Sequence, residues 1–372
     1  PISRNVHRST INALILSGAI PVYVNPGIDQ RLGIPLGMAL NDVKEAILTH
    51  PNAKAILVNN PTYYGVCSDL KAIVELAHAN NMLVLADEAH GTHFGFSDLL
   101  PLSGMQAGAD MAAVSMHKSG GSLTQSSFLL CGPRVAGEQV RQIINLTQTT
   151  SGSYLLLSSL DLSRKNLALN GDSIFAKVAD MAQYARDEIN SIGDYYAFSK
   201  ECINGDTVFD FDTTKLSVNT LNIGLAGVEV YDILRDEYDI QIEFGDVGNV
   251  LAYLSVGDRL RDIERLVSAL SEIRRRHKRS RAGMLNQEYI APTVRHTPRD
   301  AFFSEKTSVA IEDSAGRVCA EFVMCYPPGI PILAPGEMVT REIIDYIRYV
   351  KEKGSFLTGT EDPKVGSINV MK

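Results

Sequence analysis

The sequence predicts an α/β fold built on a mainly parallel sheet, and three observations lead there. Short apolar runs alternate with helical stretches between residues 12 and 131, which is the pattern of βαβ units. Two of these runs, Met82–Ala86 and Met111–Val114, lead directly into reactive side chains, Asp87 after the first and Lys118 after the second. The 31 residues from Asp87 to Lys118 contain helix-like and loop material, enough for one crossover between parallel neighbours of one sheet.

The elements follow in chain order. Residues 12–24 read as a helix, a stop at Gly18 and a strand. Asn41–His50 reads as a helix with Asn41 as its N-cap, and Lys54–Val58 as a strand. Ser68–Asn80 is a helix capped by Ser68, and Met82–Ala86 the next strand. After the strand Met111–Val114 come Ser115, His117, Lys118 and the pair Gly120–Gly121, where the backbone can pass close to a ligand. Ser127–Cys131 is a further strand. From Ser153 to Tyr195 the pattern is helical, with interruptions expected at Gly171 and Gly193 and a bridging role between domains. Residues 206–275 alternate short strands and helices, and a tail from Pro298 is rich in Pro and Gly between 327 and 336. The expected domains are 1–195, a large domain with the bridging helix; 196–282, a small α/β domain; and 283–372, a C-terminal subdomain.

Composition narrows the function. The chain has 372 residues, 45% of them hydrophobic, ample for a large core. A net charge of −8 argues against bulk nucleic-acid binding. The run Arg274-Arg-Arg-His-Lys-Arg-Ser-Arg281 therefore reads as a solvated helix end and linker before it reads as a nucleic-acid patch. Five scattered cysteines with no Cys-x-x-Cys pair fit a reduced, cytoplasmic protein. No apolar run has the length of a membrane span, and no signal peptide is visible.

A lysine beyond the C-terminal end of an α/β strand sits where open sheets bind ligands. When partly buried it loses its proton more easily and becomes a Schiff-base candidate. An acid at a neighbouring strand end completes what pyridoxal phosphate chemistry needs, because it keeps the pyridine nitrogen protonated and the ring an electron sink.

Five ordered segments carry a family resemblance: Arg4-Asn-Val-His-Arg-Ser9, Asn60-Pro-Thr-Tyr-Tyr-Gly65, Asp87-Glu-Ala-His-Gly91, Ser115-Met-His-Lys-Ser-Gly-Gly-Ser-Leu-Thr-Gln-Ser-Ser127 and Glu321-Phe-Val-Met-Cys-Tyr-Pro-Pro-Gly-Ile-Pro331. Together they resemble the bacterial ornithine/lysine/arginine decarboxylases, above all the short Gram-positive form without a receiver-like wing domain. Thr297–Phe303 also matches the family tail. The resemblance implies fold type I of the pyridoxal-phosphate enzymes, the aspartate-aminotransferase fold. It also implies α-decarboxylation of a basic amino acid, with arginine before lysine and lysine before ornithine, and a homodimer with a shared active site. It assigns Lys118 to the cofactor aldehyde, Asp87 to the pyridine nitrogen and His7 to the ring face. Ser115 and His117 are assigned to the phosphate, and Ala89 to the opposite ring face. His90 is a candidate at ring or substrate, Thr62 and Tyr63 as cofactor neighbours, and Glu321 as the acid for the substrate's distal cation.

The chain begins at Pro1, in what the resemblance makes mid-domain, and the family's Gly-Thr/Ser phosphate-binding loop has no counterpart here. The expectation is an N-terminally incomplete large domain, with weak cofactor binding and an open apolar edge near His7. Three other readings compete. Asp-Glu-Ala-His is also a helicase ATPase box, but no Gly-Lys pair supplies its phosphate loop. Asp87, His90 and His93 have zinc-compatible ligand types for a metal hydrolase. A non-catalytic structural partner is the third.

Overall fold

The computed structural model describes residues 1–280, 290–291, 293–326, 329–352 and 354–372. Arg281 of the basic run and Pro327–Pro328 of the last motif lie outside the described residues.

The main sheet has six strands: β1 (Ile2–Ser3), β2 (Tyr23–Val24), β3 (Ala55–Asn59), β4 (Leu83–Asp87), β5 (Met111–Val114) and β6 (Phe128–Cys131). Their spatial order is β2-β1-β3-β4-β5-β6, parallel throughout except that β6 returns antiparallel to β5. Along β3 and β4 burial alternates residue by residue. One face packs on the helices Leu40–Thr49 and Leu70–Ala79 through Ile56, Val58, Val84, Val43, Ile47 and Ile73. Fully burying each such side chain contributes about 1.5–3 kcal/mol. The other face, with Leu57, Leu85 and Leu129, is left for a cavity.

Helix starts differ from expectation for local reasons. The helix Leu40–Thr49 is preceded by Ala39 and has no side-chain cap, so Asn41 lies inside its first turn. The next helix is capped by Asp69, whose carboxylate accepts from the Ala72 N–H. Ser68 is committed elsewhere, its Oγ accepting from the Met38 N–H at 2.9 Å. The helix Arg8–Ser17 does stop at Gly18, which takes φ +72°.

The long helix Tyr154–Ile192 has 39 residues, about 58 Å at 1.5 Å per residue. It ends at Gly193 as expected but runs straight through Gly171. A Cβ there would lie 2.8 Å from Phe96 Cβ, so this glycine admits a neighbouring turn and does not break the helix. The C-terminal half of the helix shares a core with Leu216, Val218, Val250 and the helix Leu260–His277. These belong to an antiparallel sheet of Tyr196–Phe198, Lys215–Asn219, Asn249–Tyr253 and Phe244–Gly245, in that order. The basic run at the end of Leu260–His277 meets acids: Arg274 and Lys278 both reach Asp194, and Arg276 reaches Glu237.

The C-terminal segment folds around the helix Arg341–Glu352 and a sheet of Val323–Tyr326 flanked by Ile330–Leu333 and Phe356–Thr358. A buried ion pair ties it to the start of the chain. Arg4 grips both oxygens of Glu337 at 2.9 and 2.8 Å and also donates to Pro331 O. Among the described residues no helix is long and apolar enough to cross a membrane.

Candidate active site

Because β4 and β5 are parallel neighbours, with Asp87 opposite Ala113, their C-terminal ends open on the same side. Past β5 the chain turns into the short helix Met116–Ser119, which carries Lys118. A cavity of about 770 Å³ lies over these strand ends. His7, Asp87, Ala89, His90, Ser115, His117 and Lys118 all line it, as do Thr62 and Tyr63. Nine of the ten expected site residues thus converge from four segments.

Each is held in a definite way. His7 caps the helix Arg8–Ser17: its Nδ1 accepts from the Ser9 N–H at 3.3 Å. His7 is exposed at the cavity. Burial pushes the Asp87 carboxyl above its usual range, although the Ala89 N–H, His7 and Lys118 all pull it back. Burial likewise lowers the proton affinity of Lys118, against the opposing pull of Asp87 and Glu243. Lys118 Nζ lies 2.9 Å from His90 Nε2. His117 Nδ1 donates to Ser126 O at 2.9 Å, which fixes that ring.

Glu321 is not brought to the cavity. It is buried, and its carboxylate accepts from the backbone N–H groups of Asn369 and Glu361 at 2.8 and 3.0 Å, stitching two C-terminal segments together. Its position before the Tyr-Pro-Pro motif pointed to substrate, but its oxygens are spent on backbone. The metal reading fails on placement too. Asp87 faces the cavity, whereas fully buried His93 bonds Ser119, Thr214 and Asp212. Among the described residues no group of three or more His, Cys, Asp or Glu is placed to hold a metal.

The sequence reading missed two contributors. Glu243 lines the cavity and accepts from the Tyr63 hydroxyl at 2.5 Å. Lys215 is fully buried behind His90, with Nζ 3.2 Å from His90 Nδ1 and 3.1 Å from the centre of the Tyr253 ring. Lys215 opens the strand Lys-Leu-Ser-Val-Asn, every residue of which is buried.

The parallel sheet, the lysine beyond one strand end and the acid at the next define a class, the fold type I enzymes of pyridoxal phosphate. Solved structures agree at the level of fold. The lysine decarboxylase of Francisella novicida superposes with a TM-score of 0.83 at 19% identity, covering all of this chain and 66% of that one. A NifS-like protein of Rickettsia africae superposes with a TM-score of 0.55 over 73% of this chain and 74% of its own. The particular family then follows from sequence. Residues 2–219 match the Orn/Lys/Arg decarboxylase major domain, and residues 281–366 match the Orn/Lys/Arg decarboxylase C-terminal domain. The arginine decarboxylases of Halalkalibacterium halodurans and Bacillus subtilis are 45% and 44% identical to the whole chain, which spans 76% of each. The chain belongs to the Orn/Lys/Arg decarboxylase family.

Proposed function

We propose that this site removes the α-carboxylate of arginine, giving agmatine and carbon dioxide, with pyridoxal phosphate as cofactor. The observation that carries the reading is the convergence of the Lys118 amine, the Asp87 carboxylate and His7 on one cavity. Arginine leads because relatives 45% and 44% identical to the chain are arginine decarboxylases.

The residues present fit the cofactor. The cavity volume falls in the range of small-molecule sites. Asp87, raised by burial, wants a cationic partner, and a protonated ring nitrogen is one. In this reading Lys118 would hold the cofactor covalently, Asp87 would face the ring nitrogen, and His7 and Ala89 would border its two faces. Ser115 and His117 would reach the phosphate. When bound, the cofactor supplies an electron sink for the pair left at Cα as carbon dioxide departs.

The rest is the work of the chain. The lowered proton affinity of Lys118 favours the free amine needed for attack on a carbonyl. Once displaced by the substrate amine, Nζ can hold a proton and return it to Cα. Glu243, exposed at the cavity with its carboxylate anchored by Tyr63, takes the role first assigned to Glu321, pairing with the guanidinium.

Borohydride reduction with the cofactor, followed by peptide mapping, tests the assignment. Label is expected on Lys118, and Lys118→Ala should abolish both label and turnover. Incubation with arginine, lysine and ornithine should give agmatine as the main amine. Inactivity on all three would refute the reading.

A further inference from the structure

Lys215 is a lysine with no solvent exposure, an expensive place for an ammonium. It does not line the cavity and reaches the site only through His90. Its stem passes Gly65, where a Cβ would lie 3.0 Å from Lys215 Cγ. His90 is thus held between two amines, Lys118 at Nε2 (2.9 Å) and Lys215 at Nδ1 (3.2 Å). The Tyr63 ring covers it at 4.2 Å, and the Tyr253 hydroxyl donates to its carbonyl.

Hydrogen-bond arithmetic constrains this chain of three groups. Burial and the flanking Lys215 and Lys118 hold His90 neutral. A neutral imidazole has one N–H and one lone pair. It can therefore accept from only one ammonium, and its N–H must point to a neutral amine. Two arrangements satisfy this. In one, ammonium Lys118 donates to Nε2 while Nδ1–H donates to neutral Lys215. In the other, Nε2–H donates to neutral Lys118 while ammonium Lys215 donates to Nδ1. They interconvert when one proton moves from Lys118 Nζ to Nε2 and another from Nδ1 to Lys215 Nζ, with the total charge unchanged.

We infer that Lys118, His90 and Lys215 form a proton relay in which Lys215, a positioning residue acting through His90, takes up the proton that Lys118 must lose to become a nucleophile. The surroundings allow either end to hold the charge. Asp87, Glu243 and His7 face Lys118. Asp212 and Glu243 face Lys215, the Tyr253 ring lies against its amine, and Arg186 donates to its carbonyl. His93 stands between Asp212 and Ser119. Burial lowers the proton affinity of both lysines, that of Lys215 to about 7, against the pull of Asp87 and Glu243 on Lys118 and of Asp212 and Glu243 on Lys215.

The inference rests on Lys118 as the cofactor lysine, and the test separates the two. Cofactor-free protein is treated with isotopically labelled formaldehyde and cyanoborohydride between pH 6 and 10, and label on Lys118 is read by peptide mass spectrometry. Lys215→Met, which replaces the amine by an apolar chain of similar length, should lower labelling of Lys118 at pH 7 roughly tenfold by removing the proton acceptor and the neighbouring positive charge. The plateau at pH 10 should match the wild type, which reports an intact site. His90→Gln, which keeps Lys215 but cuts the relay, should shift the profile the same way. An unchanged profile for Lys118 in both variants would overturn the relay. Borohydride trapping of the cofactor on a lysine other than Lys118 would instead overturn the assignment beneath it.

Discussion

Glu88 follows the acid at the end of β4 and is 1% exposed. Its Oε1 accepts from the Gly104 N–H at 2.7 Å, but burial outweighs that bond and pushes the carboxyl from 4.5 up to about 8. Between these values the native state keeps a proton that the unfolded chain has lost. Stability therefore falls as pH rises through the window and levels off above about 8, where both states are ionised. At about 1.4 kcal/mol per pH unit, the loss is several kcal/mol, at most about 5. Glu88→Gln keeps the acceptor for Gly104 and removes the titration. Urea unfolding midpoints for both proteins at pH 5, 6, 7, 8 and 9 give the comparison. The variant should match the wild type near pH 5 and exceed it increasingly up to pH 8. A variant that is less stable by a constant amount at every pH would show that Glu88 is ionised in the native state and that its charge is used. A neutral Glu88 also makes chemical sense, since it leaves Asp87 as the one negative charge at this strand end.

Two further changes probe the frame around the site. Glu337→Ala strands the Arg4 guanidinium, only 4% exposed at its side chain, and should cost about 3–5 kcal/mol in urea unfolding. Arg4→Met with Glu337→Met should lose less than the single change, because no charge is then left buried. Gly171→Val forces a side chain into the 2.8 Å gap to Phe96 and should lower stability by about 1–3 kcal/mol, read as a drop in Tm, with partial recovery on Phe96→Ala.

The main sheet was legible because parallel strands buried by helices write their periodicity into nearby sequence. Met111–Val114 was read to the residue, and β3 and β4 to within one. Caps were less legible, since a serine that could cap does not when another backbone group claims it, as Met38 claims Ser68. Gly171 illustrates the same limit: its smallness serves Phe96, 75 residues away, and local propensity carries no trace of that. At the site, the residues adjacent to Asp87 and Lys118 line one cavity because the two segments leave parallel strand ends that open on the same side. Glu321 was misplaced because a conspicuous acid near a motif says nothing about which backbone N–H groups will claim it.

What remained hidden is what the antiparallel sheet contributes. Ser119, next to Lys118, bonds His93 Nδ1 at 3.0 Å, and the far side of that ring meets Asp212 at 3.1 Å and Thr214 at 3.2 Å. Lys118 itself meets His90, and through it Lys215. Two histidines three residues apart thus carry the short lysine helix onto a single segment, Asp212–Lys215, about 95 residues downstream. The two contacts differ in kind. His93 is locked between a carboxylate, which the imidazole and its neighbours hold below the usual range despite burial, and two hydroxyls, so it fixes position. His90 has an amine on either side and so governs where a proton sits. A shift of the antiparallel sheet against the parallel one would disturb both at once. The geometry of the lysine and its proton affinity are therefore coupled through one segment, Asp212–Lys215, and the spacing that first suggested a metal site is the spacing needed to grip that segment twice.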